Sequence, residues 1–269
     1  MAWAMADLDT PQTMMNGPLH ILWRDDRLVA VHKPAGWLVH RTWLDAHETR
    51  FVMQTLRDQL GQHVYPVHRL DKGTCGVLLL ALHSAAARQL SMAFAGHAVR
   101  KRYLALVRGW APDTAEVDHP LRPDDAPPDA PAQSAHTRVQ CLARLDWPEA
   151  ADPRFPTTRV SLAEAWPTTG RRHQVRRHLK HLAHPIIGDA THGKGLLNRW
   201  WAQRLGLQRL WLHAWQLEVP HPETGAPLRI DSGLRWPPVA EPLATPTLPP
   251  SAQDWQRLLC LPGWERRGG

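Results

Sequence analysis

The chain has 269 residues, 43% hydrophobic and 21% charged, the proportions of a folded globular protein rather than a disordered one. Lys and Arg number 32 against 25 acids, a formal net charge of +7 that suggests an anionic partner, although a GC-rich, Arg-favouring genome produces the same excess. Three cysteines, Cys75, Cys141 and Cys260, are too few and too far apart for a disulfide framework or a paired-cysteine zinc site, and no window of 18 residues is uninterruptedly apolar, so a cytoplasmic protein with no membrane span is expected.

Residues 1–18 end in Gly17-Pro18 and carry no sustained period, so they read as a flexible leader. Leu28–Val31 is a short strand broken by Lys33-Pro34-Ala35-Gly36. Between Glu48 and Gln62 the spacing of Val52, Met53, Leu56 and Leu60 predicts an amphipathic helix that stops at Gly61. Val77–Leu82 is a buried strand, and Ser84 is expected to cap a helix that ends at Gly96. Tyr103–Val107, Val160–Trp166 and Leu210–Val219 read as further strands. Strands outnumber helices without regular crossovers, so the fold class is α+β, with one domain over 19–234 and a Pro-rich C-terminal tail over 235–269. Residues 112–131 hold six Pro and six acids against one Arg, an acidic excursion that leaves the remainder of the chain at +12.

The segment richest in chemistry is His68-Arg69-Leu70-Asp71-Lys72-Gly73-Thr74-Cys75-Gly76, directly before the buried strand. An Asp in a loop leading into a central strand is held firmly while its carboxylate faces a cleft, and Arg69 and Lys72 put positive charge beside a group that would act as nucleophile or general base. The same Asp would equally serve as a turn cap with Thr74. Tyr103, one of only two tyrosines, reads as a strand residue packed in the core with its hydroxyl satisfied at the edge. Residues 171–184 are the densest positive run, with five cations, four His and no acid. At helical spacing Val175, Leu179 and Leu182 share one face, while Arg172, Arg176 and Lys180 form a stripe beside it that suits phosphates. His173, His178, His181 and His184 invite a metal reading, but with no HExxH, no paired Cys and no carboxylate in the run, no metal is expected.

His68-Arg69-Leu70-Asp71-x-x-Thr74-x-Gly76 resembles the signature of the RluA-type pseudouridine synthases. Lys33-Pro34-Ala35-Gly36, Lys101-Arg102-Tyr103, Gly170-Arg171-Arg172-His173-Gln174-Val175-Arg176, His184-Pro185-Ile186-Ile187-Gly188-Asp189 and Leu212-His213-Ala214 resemble later motifs of that family in the same order. The resemblance implies a pseudouridine synthase fold, with a mixed, mainly antiparallel central sheet flanked by helices and loops around a catalytic cleft. It also implies an isomerase that needs no cofactor. By resemblance the catalytic residues are Asp71, the carboxylate, Arg176, its ion-pair partner, and Tyr103, which stacks on the target uracil and assists proton transfer, with Val175 packing on the base. Arg69 fills the stack vacated by the flipped base, and Lys101, Arg171, Arg172, His173, Gln174 and Lys180 are expected to bind RNA. Gly36–Asp45 and Gly206–Leu210 look most like the subgroup that acts on tRNA, at uridine 65 of the T stem. The expected working unit is a monomer with tRNA as its partner. A synthase for 23S ribosomal RNA and a non-catalytic RNA-binding protein or chaperone are the other readings. Cys75 departs from the Ser that most members carry, and a thiol is a poorer hydrogen-bond partner than a hydroxyl.

Overall fold

The computed structural model describes residues 17–41, 48–123, 126–127, 129–238 and 248–267. Nearly all of the leader, residues 42–45 of the tRNA-subgroup resemblance and part of the acidic excursion lie outside them. Among the described residues, strands dominate as expected. They are β1 (Ile21–Arg24), β2 (Leu28–Lys33), β3 (Tyr65–Pro66), β4 (Cys75–Ala81), β5 (Arg100–Arg108), β6 (Thr114–Asp118), β7 (His136–Trp147), β8 (Thr158–Pro167), β9 (Leu212–Pro220), β10 (Pro227–Asp231) and β11 (Glu265–Arg266). The helices are α1 (Val52–Leu60), α2 (Ser84–Ala95), α3 (Gln174–His181), α4 (Gly195–Leu205) and α5 (Pro250–Leu259), and none is long and apolar enough to cross a membrane.

One mixed sheet runs in the order β1-β2-β4-β9-β5-β8-β7-β11, with β3, β6 and β10 added beside it. Every pairing is antiparallel except β4 with β9, where Cys75 meets His213 and Gly76 meets Ala214. Gly76 is required at this crossing: its φ is +110°, and a Cβ there would lie 2.2 Å from the Ala214 carbonyl oxygen. All seven residues of β4 are buried, because a strand covered on both faces needs a continuous apolar run. This strand carries the Asp71 loop into the middle of the sheet, and the rigidity of the surroundings passes to the loop.

Several boundaries move for local reasons. The helix expected from Glu48 starts at Val52, since Phe51 is extended and bridges to Leu38. Ser84 is the first residue of α2 rather than its cap; His83 holds the cap position, with no side-chain capping bond. Part of the acidic excursion forms β6 and part of the presumed tail is structural: α5 buries Trp255, Leu258 and Leu259 in the main core, and β11 pairs with β7. Prolines thus mark the borders of these elements, with Pro250 opening α5, where a missing N–H costs nothing. β7 was not anticipated, because the residues it buries include Thr137, Cys141 and Ala143, which make a weak apolar signal.

Candidate active site

The Asp71 loop is held by backbone bonds. The Thr74 N–H donates to the Asp71 carbonyl at 3.1 Å, so the backbone closes the turn and the carboxylate is left to the cleft. The His68 ring accepts the Leu79 N–H through Nε2 at 3.0 Å and stacks on Phe94 at 4.8 Å; burial pushes it down to about 3, so it anchors the loop as a neutral acceptor. From the other side the buried Lys33 ammonium donates to the carbonyls of Pro34, Trp37 and Lys72, at 3.0, 2.6 and 3.1 Å. Burial pushes this ammonium down to about 7, against the opposing fields of Cys75 and Asp71.

The charge partner of Asp71 comes from α3. Arg176 Nη1 donates to Asp71 Oδ2 at 3.0 Å, while its Nε and Nη2 grip Asp189 at 2.7 and 2.8 Å in a bidentate fork. Asp189 is fully buried and also accepts the backbone N–H groups of Thr191 and His192, at 3.0 and 2.8 Å. Burial opposes the charge on both members of this pair. The Asp189 hydrogen bonds and field, helped by Asp71, still raise Arg176 above the ordinary guanidinium range, and the Arg176 and backbone bonds hold Asp189 below the usual carboxylate range.

The cleft over this pair has a volume of about 590 Å³. Asp71, Tyr103, Val175 and Arg176 line it together, with Arg69, Lys101, Arg171, Arg172 and His173 around them. Burial, and then the field of Asp71, push the Tyr103 phenol upward, so its hydroxyl stays protonated at neutral pH. The four residues expected at the reacting centre therefore share one wall-to-wall site.

Other expectations change. Lys72 and Arg69 do not neutralise Asp71: Lys72 pairs with Glu48, and Arg69 is exposed at the rim. Arg172, Arg176 and Lys180 do not form one outward stripe. Two carboxylates draw Arg176 inward, while Arg172 and Lys180 stay exposed on either side of it and Lys180 lies outside the cleft lining. Gln174, expected to bind RNA, is 4% exposed. Its carboxamide oxygen accepts from Thr169 and the Arg171 N–H, and its nitrogen donates to His136 and Thr137, so it builds the wall. Lys101 donates to the Thr169 carbonyl at 2.8 Å and burial pushes it down to about 8, which makes it a brace of the same wall. Arg171 likewise donates to the Ser134 carbonyl at 3.0 Å.

Sequence reasoning noticed the segment ending in Asp189 but gave that residue no work, and it passed over His192. An acid directly after a glycine that cannot be replaced is the available signal: Gly188 has φ +78°, and a Cβ there would lie 1.7 Å from the Arg209 carbonyl oxygen. Away from the cleft, His32, Cys75 and His213 place one ligand atom each within 4.8 Å. Arg209 donates to the Cys75 sulfur at 2.8 Å and supplies the positive charge a metal would bring, so this group reads as polar core.

Residues 27–181 match the family described as RNA pseudouridylate synthase. The chain is 47% identical over 254 residues to the tRNA pseudouridine synthase C of Vibrio cholerae, covering 92% of this chain and 97% of that protein. It is 52% identical over 230 residues to the protein of the same name from Salmonella typhimurium, covering 80% and 85%. Among solved structures it is similar to Human RNA Pseudouridylate Synthase Domain Containing 4, with a TM-score of 0.62 and 26% identity over 93% of this chain and 95% of that one.

Proposed function

The chain belongs to the RNA pseudouridylate synthase family, and from that membership we infer that it is an isomerase converting uridine to pseudouridine in tRNA, with Asp71 as the catalytic carboxylate. The observation that carries the residue assignment is the Asp71–Arg176–Asp189 array at the floor of the cleft. The reaction breaks the N-glycosidic bond, turns the detached uracil and rejoins it to the sugar through carbon. It consumes no redox equivalent. What it asks of the protein is one carboxylate held in a fixed direction and a closed pocket for the loose base.

Arg176 meets the first need. With two of its N–H groups committed to Asp189, it offers Asp71 a single hydrogen bond and leaves the second Asp71 oxygen to the nucleotide. Tyr103 and Val175 face the same space and would hold the uracil between an aromatic face and an aliphatic one. Arg69 at the rim is placed to fill the gap left by the extruded base. Arg172 and Lys180 supply exposed positive charge for the RNA backbone. The finer reading is that the target is uridine 65 of the T stem, which rests on the subgroup resemblance of Gly36–Asp45 and Gly206–Leu210.

Incubation with separate tRNA and 23S ribosomal RNA transcripts, followed by mapping of pseudouridine, tests the reading. Product at one T-stem position of tRNA is expected. Product on ribosomal RNA alone overturns the substrate assignment, and no product on either overturns the activity. Arg172→Ala and Lys180→Ala are each expected to lower the slope of log affinity against log salt by about one; an unchanged slope removes that residue from the interface.

A further inference from the structure

We propose that a second groove, at the end of β5 and β8 farthest from the cleft, holds the unpaired 3′ end of the tRNA. The proposal rests on the reading above, because it names a further contact made by the same substrate. β5 lines the cleft at Tyr103 and the groove at Arg108, five residues on, a separation of about 17 Å at the rise of a strand. The chain through α3 bridges the same interval. Arg172 lines the cleft just before this helix, Lys180 is exposed near its end, and beyond it the His184 ring donates through Nδ1 to the Arg108 carbonyl at 2.7 Å. A stem that enters the cleft and follows α3 therefore brings its end to the groove. In tRNA the T stem continues into the acceptor stem, which ends in unpaired nucleotides on the 3′ side.

The groove has a volume of about 490 Å³, and its walls are fixed by backbone bonds. The Gly109 N–H donates to the Arg159 carbonyl at 2.8 Å, which closes the end of β5 on β8. The Thr158 hydroxyl donates to the Glu149 carbonyl and accepts the Ala151 N–H, both at 2.7 Å, and so ties down the loop between β7 and β8. Phe155 on that loop and Leu196 at the start of α4 are 55% and 63% exposed. Exposed apolar side chains gathered in one groove mark a binding surface. Arg108, Arg154, Arg159 and Lys194 stand around them, all exposed. Asp152, the one acid among the described lining residues, is held in a fork by Arg154, at 3.0 and 2.5 Å. Among the described residues, no hydrogen bond or ion pair engages the side chains of Arg108 and Lys194, so the lining keeps more positive charge than it neutralises.

Arg159 also stacks on Trp110, its guanidinium 4.0 Å from the ring centroid, which sets a flat cation beside the exposed phenyl ring. Paired RNA hides the faces of its bases and presents phosphates and hydroxyls, so an exposed Phe155 gains little from a duplex. Unpaired nucleotides offer flat faces to Phe155 and to the Arg159 guanidinium, and phosphates to Arg108 and Lys194. A peptide or a second copy of the chain would have to bring acids to the same cations, whereas a nucleotide backbone carries a negative charge at every step.

The test uses the full chain and two transcripts of one tRNA, intact or shortened to a blunt acceptor end, in filter binding at fixed salt. The blunt transcript should bind about tenfold more weakly to the wild-type chain. Phe155→Ala, at an exposed position, should lose about tenfold on the intact transcript and nothing on the blunt one. Lys194→Ala should lower the slope of log affinity against log salt by about one on the intact transcript alone. Equal affinity of the wild-type chain for the two transcripts overturns the proposal, whatever the variants do. A Phe155→Ala loss of the same size on both also overturns it, by placing the groove on paired RNA or in support of the fold. No loss on either overturns it as well and leaves the groove to a protein partner. A wild-type chain that makes no pseudouridine in tRNA fails the parent reading instead.

Discussion

Asp71 and Cys75 stand four residues apart where one loop becomes one strand, yet their surroundings manage charge in opposite ways. On the cleft side, charges are kept and paired: Asp71 with Arg176, and Arg176 with Asp189. Behind the strand, around Cys75, His32 and His213 are stripped of water instead. Burial, reinforced by Arg209, pushes His32 down to about 3, and burial, His32 and Arg209 hold His213 well below its ordinary value. Pairing preserves a charge for use, whereas desolvation without an opposite partner removes it. A carboxylate kept charged and open to a cleft is found on the first side.

Four measurements probe that contrast, beginning with the largest effect. Asp71→Asn should abolish pseudouridine formation, by at least about 10⁴-fold, while tRNA affinity stays within a few-fold, because the carboxylate serves bond-making and not docking. Single-turnover rates beside filter binding check both halves, and measurable turnover near wild type removes Asp71 from the chemistry. Asp189→Asn should lower the rate about 100-fold and cost about 3 kcal/mol of stability, since it breaks one side of a buried pair; urea unfolding that matches wild type would show that Arg176 does not depend on this partner.

Acid should act first on the desolvated histidines. The folded chain keeps His32, His68 and His213 neutral, whereas the unfolded chain protonates them near 6.5. The unfolded state therefore binds more protons below that pH, so the contribution of these three rings is full above about pH 7 and falls as pH drops from 6.5 towards 3. Near pH 5 the expected uptake is about three protons, roughly 4 kcal/mol per pH unit. Urea midpoints at pH 7, 6 and 5 measure it, and a flat profile would mean that these rings are charged or hydrated. The smallest effect belongs to Cys75→Ser. A hydroxyl also accepts from Arg209 and bonds to His213, so stability should stay within about 1 kcal/mol and activity within twofold. A larger loss would tie the sulfur to the catalytic loop.

Local signals located much of this in advance. The apolar run at 77–82, the stop at Gly61 and the motif from His68 to Gly76 each depend on neighbours within a few residues, and each is found near its expected place. The Arg172–Lys180 stripe failed because periodicity assigns a helix face but cannot see which face an acid from another segment will claim. Asp189 lies beyond α3 and reaches back to Arg176 only after the chain has turned at Gly188. β7 and α5 were missed for a related reason: small buried residues and flanking prolines look polar or irregular until a neighbouring strand or core covers them.

By itself, the sequence determined the family, the α+β class and which Asp leads into the central strand, because motif spacing and apolar runs are properties of contiguous residues. Only the tertiary structure decided which cation pairs with Asp71, which positive residues stay exposed and which brace a wall, and that two histidines meet beside that carboxylate. Those choices depend on distances between segments up to about a hundred residues apart, and on which side chains the packing deprives of water.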